Sequence, residues 1–124
     1  MSTLASTTLQ DRASGKNLPT LSMIKGAAKL WGYYIWGTGV PTISNSFGAA
    51  SLNDAALGNL NVNHTTPMVG PYAVVCNTWA RTSWVNKAEG AAILGMTTHQ
   101  IYAMEAGALT DPSFAHSAVF GDLA

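Results

Sequence analysis

A chain of 124 residues with 48% hydrophobic content has the length of one domain and enough apolar side chain to build a core, which excludes intrinsic disorder. Charged residues make up only 10%, six Lys and Arg against six Asp and Glu, where soluble domains usually carry about 25%. No basic cluster is present to follow a phosphate backbone, so a nucleic-acid partner is not expected, and every apolar run is broken too early for a membrane helix.

Residues 1–27 read as an extended N-terminal arm. The segment is rich in Ser, Thr and Lys and offers two strands, Thr3 to Gln10 and Leu18 to Ile24, around the turn-prone Arg12 to Lys16. Met1 to Gln10 has neither the basic start nor the apolar core of a signal peptide, so Sec-type export is not expected. From Ala28 to Trp36 aromatic, β-branched and small residues alternate, predicting the first strand of a body spanning residues 28–124.

The period of two continues. Strands are predicted at Pro41 to Phe47, Leu60 to Thr66, Tyr72 to Trp79, Thr98 to Glu105 and His116 to Gly121, each bounded by Gly, Pro, Asn or Asp. Ala49 to Leu57 and Asn86 to Ile93 read instead as short helical turns because of their alanines. Brief strands with no long amphipathic helix between them predict an all-β fold, an antiparallel β-sandwich of jelly-roll-like form.

Ten Ser, thirteen Thr and eight Asn form a quarter of the chain, and 19 Ala with 12 Gly form another quarter. A surface of hydroxyls and amides without net charge favours packing against other protein, so an oligomer or a fixed part of an assembly is expected.

Catalytic and ligand patterns are sparse. His64, His99 and His116 fall on three different predicted strands with no local His pair, so no metal site is expected. In the register Leu60, Val62, His64, Thr66 the histidine reads as a satisfied inward or interface residue. Cys76 with a histidine and Asp111 has the composition of a cysteine-nucleophile triad, but it ends the alternating run from Tyr72 and reads as a small buried hydrophobe. A lone cysteine forms no disulfide within the chain. Asp54 and Asp111 read as turn residues, and no two carboxylates have acid and base spacing. No cofactor is implied and no enzyme activity is expected. The one candidate contact surface is Trp79, Arg81 and Trp84, where two indoles flank a guanidinium; the pattern suits a subunit interface or core packing on one reading and a sugar ring on the other.

Several segments, taken in order, carry a family resemblance. Leu30-Trp31, Gly39 to Phe47, Asn61-Val-Asn-His-Thr-Thr-Pro-Met68, Pro71-Tyr-Ala-Val-Val75, Asp111-Pro-Ser-Phe114 and Ala118-Val-Phe-Gly121 together resemble a domain of bacteriophage tail-fibre and related virion proteins. The opening Met1-Ser-Thr-Leu4 and Thr8-Leu-Gln-Asp11 are similar to the start of short phage fibre proteins. The resemblance implies a homotrimer without catalytic residues, attached to the particle through the arm and to other virion proteins. A fibre knob or spike, a capsid decoration (cement) protein and a receptor tip that binds a host surface glycan remain open as placements.

Overall fold

Two antiparallel sheets account for the body of the protein, in a computed structural model that describes residues 8–10, 17–19, 27–37, 39–79 and 87–124. In the arm, β1 (Thr8–Gln10) pairs antiparallel with β2 (Asn17–Pro19), Leu9 opposite Leu18. The remaining residues expected to extend these two strands lie outside the described set.

The first sheet is ordered β4-β3-β11-β7, from β3 (Leu30–Ile35), β4 (Thr42–Phe47), β7 (Met68–Trp79) and β11 (Phe114–Leu123). The second centres on β9 (Thr98–Glu105). Along one of its edges runs β6 (Asn59–His64), which β5 (Ala49–Ala56) extends outward, and the short β10 (Ala108–Leu109) also pairs with β9. β8 (Lys87–Gly95) is a further partner of β9. The chain is therefore an all-β antiparallel sandwich in which the first body strand pairs with the last.

Alternation decides the layers, since successive side chains leave a strand on opposite sides. Leu30, Tyr34 and Trp36 of the β3 segment, Ala115 and Val119 of β11, and Met68 and Tyr72 of β7 point inward. They meet Leu60 and Val62 of β6 and Ile101 of β9.

The chain passes from one sheet to the other between β4 and β5 at Gly48. Its φ of +81° and an approach that would put a Cβ 2.8 Å from the Lys29 carbonyl oxygen leave room for glycine alone. At the opposite side β7 lies beside β8, and Glu89 of β8 ties the two strands together. Its Oε2 accepts from the Thr78 backbone N–H at 2.5 Å and from the Thr78 hydroxyl at 2.6 Å.

Two expectations are corrected. Ala49–Ala56 and Lys87–Gly95 are strands, not helical turns. Alanine favours a helix only weakly, by tenths of a kcal/mol per residue, and a segment of eight or nine residues does not sustain one alone. Ladders to β6 and β9 supply backbone partners along each segment and override that preference. Asp54 accordingly sits exposed within β5, opposite Leu60, and not in a turn.

Candidate functional site: an aromatic sheet face and a buried histidine pair

The two outer faces of the sandwich have different chemistry. On the second sheet, amides and hydroxyls bond along the rungs. The Gln100 amide donates to Asn61 Oδ1 at 2.8 Å, the Thr98 hydroxyl donates to Asn63 Oδ1 at 3.0 Å, and Asn63 Nδ2 donates to Ser51 Oγ at 2.9 Å. These groups satisfy one another and accept water. The alternating Asn59-Leu-Asn-Val-Asn-His64 of β6 writes this division into the sequence, asparagine outward and apolar or histidine inward.

The first sheet presents rings. Strand register aligns its outward side chains in three rungs running β4, β3, β11, β7. One holds Phe47, Trp31, Ala118 and Val75; the middle one holds Asn45, Tyr33, His116 and Asn77; the third holds Thr42, Ile35, Phe114 and Trp79. Not one of these twelve residues is Lys, Arg, Asp or Glu. Phe47 is 58%, Val75 57% and Trp79 61% exposed, and Trp31 stands 43% exposed.

The rings brace each other. Phe114 stacks on Trp79 with centroids 5.5 Å apart and on Tyr33 at 5.6 Å, while Tyr33 meets His116 edge-on at 4.8 Å. Such pairs hold side chains in fixed positions at little further entropic cost when a partner arrives. An open depression of about 610 Å³ lies between Trp31, Tyr33 and Trp79 over His116. Trp79, named from sequence as a contact residue, is thus part of this face at the end of β7, whereas Arg81 and Trp84 lie outside the described residues.

Inside the sandwich the fold joins two histidines that sequence spacing kept apart. β6 and β9 are neighbours with Val62 opposite His99, which places His64 Nε2 2.8 Å from His99 Nδ1. His99 Nε2 is 3.0 Å from Ser117 Oγ, and the Tyr34 hydroxyl is 3.0 Å from the same oxygen. Gly32 makes the last contact: the Tyr34 ring lies where a Cβ at Gly32 would stand, 2.1 Å from the hydroxyl oxygen. Ser117 is the cross-strand partner of Gly32, so the phenol reaches it directly.

One proton arrangement leaves a single orphan. Tyr34 donates to Ser117, Ser117 donates to His99 Nε2, and His99 Nδ1–H donates to His64 Nε2, leaving His64 Nδ1 buried without a partner. Burial, and secondarily the neighbouring His64, pushes the His99 pKa down to about 4; burial also lowers that of His64 and raises that of Tyr34. Both imidazoles are therefore neutral at pH 7.

Ser117, His99 and His64 have the connectivity of a serine nucleophile, its base and an orienting group. A nucleophile must reach its substrate, however, and Ser117 is 4% and His99 0% exposed between the sheets. The arrangement acts as a polar clamp joining β3 and β11 of one sheet to β6 and β9 of the other. Cys76 lies half-buried against the core, while Asp111 accepts the Gly58 N–H at 2.6 Å and holds the β5–β6 turn, so the two serve separate places in the fold. Among the described residues no group of three His, Cys, Asp or Glu side chains is placed to hold a metal ion, and no helix is long and apolar enough to cross a membrane.

Fold and surface together define a class: a β-sandwich with one amide-covered face and, on the other face, three ring-rich rungs without a charged side chain. No protein-family model, curated protein or solved structure matches the chain.

Proposed function

We propose that this protein is a structural subunit of a phage virion, a small self-associating β-sandwich that serves as a fibre knob, spike or capsid decoration protein. The observation that carries the assembly part is the aromatic face of the first sheet. A ring-rich, uncharged patch spanning four strands is a surface for protein contact, because leaving its rings in water forfeits about 25 cal/mol for each Å² that a partner would cover. Placement on a phage particle rests on the family resemblance of the ordered segments from Leu30 to Gly121. In this reading residues 1–27 attach the body to other virion proteins, three copies assemble as the resemblance implies, and the role is mechanical or adhesive. The burial of the Ser117–His99 pair supports a non-enzymatic role.

Immunogold labelling tests the placement. Antibody against the purified chain should decorate particles from a lysate in which the protein is produced, at the tail tip for a fibre component and over the head for a decoration protein. Particles that bind no antibody would overturn the virion reading.

A second reading, a receptor tip that binds a host glycan, draws on the exposed Trp79 and the depression it shares with Trp31. Sugar rings stack on such indoles. Binding on a glycan array that disappears in Trp79→Ala would favour the tip over a purely mechanical subunit.

A further inference from the structure

We infer that the ring-rich face of the first sheet is covered by the arm strands β1 and β2 of a neighbouring copy, each copy giving one pair of strands and receiving one. The exchange rests on the three-copy reading above and names the contact that holds the copies together, while residues 1–7 remain to reach the particle.

Two parts of the chain each lack a covering layer. A two-stranded ribbon is marginal in water unless it gains a third strand or a surface to pack on. Among the described residues, β1 and β2 ladder with each other and with no strand of the body. The first sheet is the converse, a surface without a layer. Phe47, Val75 and Trp79 stay more than half exposed in the single chain, although both arm strands are present in it. A chain's own arm therefore leaves the face bare, and the arm of another copy is the occupant.

Charge fits the match. Thr8–Gln10 and Asn17–Pro19 hold no charged residue, and Leu9 stands opposite Leu18. The outward rungs hold none either, so the contact strips water from no charge on either side. Asp11, Arg12 and Lys16 fall between the two arm strands in sequence, and Lys29 and Asp122 lie beyond the ends of the rungs.

Reach allows the exchange. Residues 20–26 join β2 to the body at Ala27, and seven residues extend to at most roughly 25 Å. The outer strands of a four-stranded sheet are only roughly 14 Å apart, so the arm strands clear their own sandwich. Giving to one neighbour and receiving from the other is a heterologous contact, which closes as a ring, here of three copies.

Sedimentation equilibrium of the full chain should report three times its 13.0 kDa mass. Leu9→Asp combined with Leu18→Asp, or Ala118→Arg on the face, should weaken association by about 100-fold or more while circular dichroism stays unchanged. Asn53→Arg, on the exposed side of β5, should leave the three copies together. Cross-linking reads the exchange, with Cys76 replaced by Ser and a short bis-maleimide linker. Leu18→Cys with Asn77→Cys in one chain should give covalent species of two and three chains on a denaturing gel, and neither substitution alone should. Three copies with no linked product, with linkage only within single chains, with linking by either cysteine alone, or with tolerance of the paired arm aspartates would each overturn the exchange and leave the three-copy reading standing. A monomer would overturn both, and particle labelling is decided separately from either.

Discussion

His64 Nε2 and His99 Nδ1 stand 2.8 Å apart between the sheets, two neutral imidazoles on adjacent strands sharing one proton. One more proton on the pair would place a cation in the core with Ser117 and the ring of Tyr72 as its neighbours. The fold therefore resists protonation, and its stability depends on pH.

The sign follows from the pKa values. Unfolded histidine titrates near 6.5, and folded His99 at about 4. Between those values the unfolded chain binds a proton that the native state refuses, so stability is full above about pH 6.5, falls as pH drops, and levels off below about pH 4. The loss from His99 is on the order of 3 kcal/mol, and His64, also lowered, adds in the same direction. Melting temperatures measured from about pH 7.5 to about pH 4.5 should decline. His99→Leu should melt lower at neutral pH yet show a flatter profile. A parent whose melting temperature holds constant over that range would refute the coupling.

Gly32→Ala should destabilise the protein by about 3 kcal/mol, combining overpacking with loss of the Tyr34–Ser117 hydrogen bond. The added methyl would stand inside the Tyr34 ring, which is 0% exposed and has nowhere to retreat. Denaturant titration reads the loss, and a variant within about 0.5 kcal/mol of the parent would show that the ring can move.

Val74 and Val75 are adjacent on β7 and face opposite ways. Val74 packs on the core and Val75 stands exposed on the aromatic face. Val74→Asp should cost about 4 kcal/mol or more, since it puts an unpaired carboxylate against the core. Val75→Asp should leave the fold of a single copy within about 1 kcal/mol of the parent while weakening association. Chemical denaturation at low protein concentration separates the two effects, and equal losses would contradict the assigned facing.

Asp111→Ala should release the β5–β6 turn. Gly58, at φ +70°, would lose its carboxylate acceptor, with about 1 to 3 kcal/mol lost from stability and faster hydrogen exchange at the Gly58 amide. Asp111→Asn keeps an oxygen acceptor and should recover most of the protection. An unchanged exchange rate in Asp111→Ala would remove the turn-holding role.

Facing within the segments read as strands is written in the local residue pattern. Alternation along Leu60, Val62 and His64, or along Tyr72 to Trp79, is a local property, because a pleated strand turns every second side chain the same way whatever its neighbour. The common side taken by Leu60, Val62 and His64 was legible on that basis. Which strands lie side by side was not. His64 and His99 are 35 residues apart and meet because β6 pairs with β9. Likewise Trp31, Phe47, Val75 and Ala118 form one rung because four strands from distant parts of the chain share a register. Ala49–Ala56 and Lys87–Gly95 show the same limit from the other direction. Their local preference pointed to helix, and the backbone partners offered by β6 and β9 decided for strand. Facing is set by geometry within a few residues, whereas adjacency is set by the free energy of packing the whole sandwich, and only the tertiary structure contains it.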